Sequence, residues 1–333
     1  MTTGSVAERF RGRRALVVGG LGFVGAAIAK ALVDGGADVL VVDALIAGCG
    51  GTYANIAGFA DRVSVVEADV RDAEALPALL DGRDVVFNLA GKMSHLDSMQ
   101  EPEEDLEHNC RAQLALLEAC RRIASPPTIV FAGTRQIYGR PQYLPVDESH
   151  PIDPVDVNGI HKHAAEQYHL LYSRLYGIPV AVLRLTNTYG PGMRVRDARQ
   201  TFLGVWLQAL VRGREFEVWG DGSQRRDFTY VDDAVEAFLL AASDPGAHGL
   251  AFNLGGERAV TLAELAELAV AANGAGSYRV VPFPEDRRAI DIGDFEADDR
   301  KIRDLLGWRP TVTLEDGLAR SLAYYRRHGA LYW

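Results

Sequence analysis

Cysteine is scarce in this chain: Cys49, Cys110 and Cys120 are the only three in 333 residues. They are odd in number and form no Cys-x-x-Cys pair, which excludes a disulfide framework and a zinc site of familiar spacing and fits a reducing cytoplasm. Positive charge is also in deficit, with 35 Lys and Arg against 45 Asp and Glu and a net charge of −10. That balance disfavours nucleic acid or an anionic membrane as the main partner. Basic residues cluster only locally, as in Arg225-Arg226 and Arg287-Arg288, which suits a small phosphate ligand better than a polyanion. The N-terminus lacks a basic-then-apolar signal pattern, and the first apolar run is broken by Lys30, too early to span a membrane. Internal repeats and low-complexity tracts are missing as well.

What remains is an ordinary globular composition, 48% hydrophobic and 24% charged. At 333 residues the chain exceeds the range in which one core keeps growing, so one large or two fused domains are expected. The most informative stretch is Gly19-Gly20-Leu21-Gly22-Phe23-Val24-Gly25. It follows the apolar run Ala15 to Val18 and leads into Ala26 to Val33, a context that reads strand, tight turn, helix. Glycines there let the backbone come close to a pyrophosphate, whose charge sits on exposed N–H groups at the helix start. A second strand, Asp38 to Asp43, ends in an acid. A carboxylate at that point suits the hydroxyls of an adenosine ribose and repels a 2′-phosphate, so NAD is favoured over NADP.

Further apolar runs follow at Val63–Glu67, Asp84–Ala90, Thr128–Gly133 and Val180–Leu185. They read as strands buried on both faces, as in a parallel sheet covered by helices. Between them, Glu101 to Arg122 has acids first and arginines last, matching a helix dipole. The fold class expected is α/β, a doubly wound parallel sheet with a smaller, irregular α/β C-terminal substrate portion. After Tyr189-Gly190-Pro191-Gly192 the pattern becomes turn-rich, with helices at Thr201–Arg212 and Thr261–Ala272. The division expected is 1–187 plus about 231–256 for the dinucleotide domain, and 188–230 with 257–333 for the substrate portion.

Several segments recur in an order that resembles the extended branch of the short-chain dehydrogenases, the nucleotide-sugar epimerase/dehydratase family. They are the Gly-x-x-Gly-x-x-Gly spacing, Asp69-Val70, Asn88-Leu89-Ala90-Gly91, Thr134-Arg135-Gln136-Ile137-Tyr138-Gly139, Arg184 to Pro191, and Arg226 to Asp233. The resemblance covers nearly the whole chain. It implies NAD held by Gly19, Gly22, Phe23, Val24, Gly25, Asp43, Asp69, Val70, Leu89, Ala90 and Lys162. It implies a nucleotide-diphosphate sugar held by Thr134, Asn187, Arg226 and Arg288, with Thr134 on the hydroxyl that is oxidised and the arginines on the diphosphate. Tyr138 matches the family's structural tyrosine. A homodimer is implied through the Glu101–Arg122 and Asn158–Tyr176 helices.

The departure is at the catalytic pair. The family carries Tyr-x-x-x-Lys on one helix face, where lysine holds the nicotinamide ribose and the phenolate takes a proton. This chain keeps Lys162 but places Asn158 in the tyrosine slot, and no tyrosine lies four residues before any nearby lysine. An amide does not exchange protons near neutral pH. Three readings stay open. Another base serves, with His95 and His161 the candidates; or Asn158 orients substrate while water or the substrate moves the proton; or NAD is bound without turnover. Arg135-Gln136 stands where dehydratase members carry an Asp-Glu pair, which disfavours dehydration and favours epimerisation through a transient ketone. Catalysis is thus expected at Thr134, Asn158 and Lys162, with a silent binding protein or a nucleotide-sugar oxidoreductase as alternatives.

Overall fold

The computed structural model describes residues 5–196 and 201–333. Its strands are β1 (Arg14–Val18), β2 (Asp38–Asp43), β3 (Ser64–Glu67), β4 (Val85–Asn88), β5 (Thr128–Thr134), β6 (Val180–Leu185), β7 (Asn187–Tyr189), β8 (Phe216–Trp219), β9 (Arg225–Tyr230), β10 (Leu250–Asn253), β11 (Ala259–Thr261) and β12 (Tyr278–Val281). The helices are α1 (Phe23–Asp34), α2 (Leu76–Leu80), α3 (His95–Gln100), α4 (Pro102–Leu106), α5 (Ala112–Arg121), α6 (Val157–Tyr176), α7 (Phe202–Val211), α8 (Val231–Ser243), α9 (Leu262–Asn273), α10 (Glu285–Arg288), α11 (Arg300–Leu306) and α12 (Leu314–His328). Among the described residues no helix is long and apolar enough to cross a membrane.

Seven strands form one parallel sheet in the order β10-β6-β5-β4-β1-β2-β3. Successive residues explain why both faces must be covered. Ala15 and Val17 of β1 point into the core beneath α1 and α8, with Ile28, Leu32, Ala234 and Phe238. Leu16 and Val18 point the other way, into a core with Leu116, Leu117, Ala165 and Tyr172 of α5 and α6. A strand buried on both sides reads as a continuous apolar run, so the doubly wound sheet was legible in the sequence. Chain order reverses between β1 and β4, which opens a crevice at the carboxyl ends of these strands.

After β6 the chain builds two small sheets, β11-β9-β7 and β12-β8, before and after β10 joins the edge of the large one. The helix expected from Glu101 to Arg122 is interrupted. A π-helical turn at Glu107–Arg111 separates α4 from α5 and buries His108 and Asn109. Such turns widen a helix and re-aim its side chains. Helix α6 is better defined at its start than periodicity alone suggests: Asp156 is its N-cap, accepting from the Gly159 N–H at 2.6 Å.

Candidate active site

The crevice between β1 and β4 is built first from backbone. Gly19 sits at φ +74°, and a Cβ there would lie 3.0 Å from the Leu89 carbonyl carbon and oxygen. A Cβ at Gly25 would lie 2.2 Å from the Gly19 carbonyl oxygen, so α1 can start against the turn only with glycine there. Gly22 is the N-cap of α1, with no side-chain cap and no acid in the first turn. These N–H groups therefore face the crevice as an anion site, because the helix N-terminus carries partial positive charge. Asp43 closes β2, where its carboxylate accepts from the Leu21 N–H (3.0 Å) and the Leu45 N–H (2.9 Å). Asp69 accepts from the Arg71 side chain at 2.6 and 2.8 Å. Phe23, Val24, Val70, Leu89 and Ala90 line the same crevice. Glycine cradle, unobstructed helix start and an acid lining the crevice at the end of β2 together fit a dinucleotide.

Farther along, Thr134 ends β5, and its Oγ1 accepts from the Gln136 N–H at 3.2 Å. Thr134, Asn158 and Lys162 line the crevice together. Lys162 is buried, makes no ion pair among the described residues, and packs its ammonium 5.5 Å from the centre of the Phe131 ring. Burial pulls its pKa down to about 8, against the opposing pull of Asp105. Gly91, at φ +151°, makes room for it: a Cβ there would lie 2.8 Å from the Lys162 Nζ.

Asn158 is committed elsewhere. Its Nδ2 donates to the Lys92 carbonyl (2.9 Å) and to Asp105 Oδ2 (3.0 Å). The same Asp105 accepts from Asn109 at 2.9 Å and faces His161 Nδ1 at 2.8 Å. His161 does not line the crevice, whereas His95 does. No tyrosine lines it among the described residues. Tyr138 is fully buried; it donates to Asn253 at 2.7 Å, accepts from Arg184, and burial pushes its hydroxyl up to about 12.

A second chamber opens from the first, lined by Trp219, Arg226, Phe283, Arg287 and Asp291. Asn187 and Arg135 line both chambers, and the Arg135 Nη2 donates to Asn187 Oδ1 at 3.1 Å. The Arg226 guanidinium is buried and donates to the Arg225 and Gly293 carbonyls and to Asp291 Oδ1 at 3.2 Å. Arg288 is placed differently. It lies at the end of α10, 64% exposed, paired with Glu285 at 3.1 Å, and is not among the residues lining either chamber. Its neighbour Arg287 lines the chamber instead and stacks 4.8 Å over the Trp219 ring. The choice between adjacent arginines depends on which side of a four-residue helix faces in, and a doublet in sequence carries no such signal.

Sequence reasoning named Arg135 only as a departure from the dehydratase pattern and Arg287 only within a basic doublet, and it missed Asp156 and the Asp105–Asn109 pair where α4 meets the π turn. Of these, Asp156 had a readable signal, as a capping residue just before the helix that carries Lys162.

A parallel sheet with a glycine turn at its switch point and an acid at the end of the next strand defines a doubly wound dinucleotide-binding protein. The chain belongs to the NAD-dependent epimerase/dehydratase family, whose model matches residues 15–255. The cofactor is NAD, which the donor set above fits. The chain is 30% identical over 314 residues to UDP-glucose 4-epimerase of Mycolicibacterium smegmatis, covering 94% of this chain and 98% of that protein. It is 29% identical over 325 residues to UDP-N-acetyl-alpha-D-glucosaminuronate decarboxylase of Bacillus cytotoxicus, covering 94% and 98%. Among solved structures, UDP-glucose 4-epimerase of Thermotoga maritima with UDP-glucose superposes with a TM-score of 0.86 at 30% identity, covering 94% of this chain and 99% of that one.

Proposed function

We propose that this protein is an enzyme that epimerises a nucleotide-diphosphate sugar, using NAD to pass through a transient keto-sugar. The observation that carries the reading is the continuity of the two chambers, which share His95, Arg135, Gln136 and Asn187, with Thr134 in the first beside that junction. A ligand with its diphosphate near Arg226 and Arg287 places a sugar beside Thr134 and Lys162. The similar proteins act on UDP-sugars, and the paired arginines and the Trp219 and Phe283 rings suit a diphosphate joined to a base.

In this reading NAD supplies a reversible two-electron oxidation of one sugar carbon. The helix start at Gly22 to Gly25 receives the pyrophosphate, and Asp43 the adenosine ribose. Asp69 and Val70 lie against the adenine, with Leu89 and Ala90 passing beside the cofactor. Lys162 donates to the nicotinamide ribose, and its charge in a desolvated site favours loss of a proton nearby. Thr134 accepts from the Gln136 N–H with one lone pair and keeps its O–H for the sugar oxygen. Asn187 and Arg135 orient the sugar and its phosphates.

Among the described residues, the acids lining the chambers are Asp43, Asp69, Glu217 and Asp291. Asp69, Glu217 and Asp291 are paired with arginines, and Asp43 is held by backbone. None stands beside Thr134 as the acid that elimination of water would need, so epimerisation is favoured over dehydration. Subunit pairing through α4 to α6 belongs to the same reading, with Leu106, Ile160, Leu175 and Tyr176 exposed on α4 and α6; sedimentation would report a dimer or a monomer.

The test is incubation of the purified protein with UDP-, dTDP-, GDP- and CDP-linked sugars, following sugar configuration by NMR and reduced nicotinamide by absorbance. Inversion at one carbon with no net product oxidation is the expected result. A 4-keto-6-deoxy product would overturn it in favour of a dehydratase. Binding without inversion or reduced nicotinamide for every donor would make this a silent binding protein, the reading that Asn158 favours.

A further inference from the structure

We propose that His95, oriented by Asp156, is the proton-transfer group that does the work of the missing phenol; the assignment rests on the epimerase reading above. Geometry singles out this residue. Two histidines line the large chamber, His95 and His108. His108 is buried on the π turn, 3.8 Å from Glu104, where burial lowers its pKa and Arg71 and Asp69 are its charged neighbours. That is the adenine end. His95 lines both chambers, as Arg135, Gln136 and Asn187 also do, and so stands at the junction where the sugar must lie.

The ring is held for the task. His95 begins α3, capped by Ser94, whose hydroxyl accepts from the Asp97 N–H at 3.1 Å. Its Nδ1 lies 2.9 Å from Asp156 Oδ2, and the aspartate side chain is 0% exposed while the histidine side chain is 34% exposed. Burial alone would raise the Asp156 carboxyl, but His95, the Gly159 N–H (2.6 Å) and the Gln136 amide (2.6 Å) together hold it below the ordinary carboxylate range. The Nδ1–Oδ2 approach is within ion-pair distance but is not aligned as a hydrogen bond in the resting protein, so the carboxylate favours a proton on Nδ1 through its charge, which leaves Nε2 as the acceptor. The same division of labour between a buried acid and a half-exposed imidazole recurs in hydrolase triads.

The step balances with NAD as the oxidant. Nε2 takes the proton of the sugar hydroxyl, the O–H electron pair becomes the second bond of a carbonyl, and the C–H hydrogen leaves with its electron pair to NAD⁺. The sugar loses two electrons and NAD⁺ gains them. On return, the hydrogen is delivered to the opposite face of the carbonyl and the imidazolium gives its proton back to the oxygen. His95 therefore serves as base and then as acid, and ends as it began. Asp156 is a positioning residue: it touches His95 and not the substrate.

The experiment compares His95→Gln, His95→Ala and Asp156→Asn with the wild type on whichever sugar of the panel it inverts, with UDP binding measured separately by calorimetry. We expect His95→Gln to lower kcat by about 10²–10⁴-fold while UDP affinity stays at the wild-type value. Imidazole added to His95→Ala should restore part of the turnover and do nothing for the wild type. Asp156→Asn keeps the helix cap, because asparagine caps as well as aspartate. It should lower kcat by about 10–100-fold with UDP affinity unchanged. A His95→Gln variant that inverts the sugar within about threefold of the wild-type rate, or one whose loss is wholly in UDP affinity, overturns the assignment and leaves the epimerase reading standing. A wild type that inverts no sugar overturns that reading and takes the assignment with it.

Discussion

Two aspartate–histidine pairs flank the first turns of α6, and they differ in where the imidazole's far edge points. Asp105 and His161 meet at 2.8 Å with side chains 2% and 15% exposed. Asp156 and His95 meet at 2.9 Å with side chains 0% and 34% exposed. In both pairs the carboxylate is buried and also serves backbone or amide donors. The first pair is closed: Asp105 accepts from Asn109 and Asn158 as well, and His161 lines neither chamber. The second opens on the junction of both chambers. The same two residue types thus make a clamp in one place and a reactive pair in the other, and solvent access on one edge of a ring decides which. Asn158 belongs to the clamp. Standing where the family carries its phenol and still lining the crevice, it uses its Nδ2 to tie α6 to Lys92 and Asp105.

The sharpest way to break this contrast is to remove the clamp's acid. Asp105→Ala leaves the Asn109, Asn158 and His161 donors facing a cavity, and a buried donor left without its acceptor costs about 1–3 kcal/mol. Urea denaturation of the variant should show a loss of that size; a loss under about 1 kcal/mol would mean the cluster is no clamp. The second effect concerns Lys162, whose charge Asp105 supports against burial. With a folded pKa of about 8 against the ordinary 10.5, the unfolded chain holds a proton between these values that the folded chain lacks. Stability of the NAD-free protein therefore rises with pH across that window, by up to about 3 kcal/mol. Lys162→Met removes the penalty, so it should be more stable than the wild type at neutral pH. The gap should close as pH climbs from about 8 to 10.5. A gap that does not change with pH would show that Lys162 is not desolvated in the folded protein.

What the sequence disclosed follows the same division between backbone-driven and side-chain-driven features. Strands β2 and β6 lie at the bounds expected, because parallel strands covered on both faces must be apolar throughout. The glycine turn and Asp43 were legible because each sits at a fixed offset from a strand end. The π turn was not: Asp105, His108 and Asn109 read as polar positions of one long helix, and only the tertiary bonds of Asn109 to Lys92 give a reason to widen it. In the small sheets, β7 and β11 have three residues each, too short for periodicity to register, and β9 opens on Arg225-Arg226-Asp227, which breaks the apolar run. His95 could be named as a candidate base beside His161. Spacing counts against His161, which lies one residue off the Asn158–Lys162 face, but it carries no sign of the aspartates, because Asp156 and Asp105 reach the two rings from other elements.

The smaller effects refine the comparison along the helix itself. Asn158→Ala removes donors from the Lys92 carbonyl and from Asp105, and should cost about 1–2 kcal/mol of stability. If turnover survives that change, the amide has no part in proton transfer; if turnover collapses while stability holds, Asn158 orients the sugar after all. His161→Gln is the mildest. It takes one partner from a carboxylate that keeps two others, so the expected loss is about 1 kcal/mol or less, with kcat unchanged. Set against His95→Gln, the two substitutions should part in rate alone: each takes one partner from a carboxylate that keeps two others, so stability falls little in both, while only His95→Gln lowers kcat, by about 10²–10⁴-fold. A clamp and a proton carrier cannot exchange those signatures, because the first acts through bonds present in the resting protein and the second through a bond that exists only while the sugar oxygen is losing its proton. Should both variants fall together in stability and rate, the pairs are one network and the boundary drawn at the crevice wall is wrong.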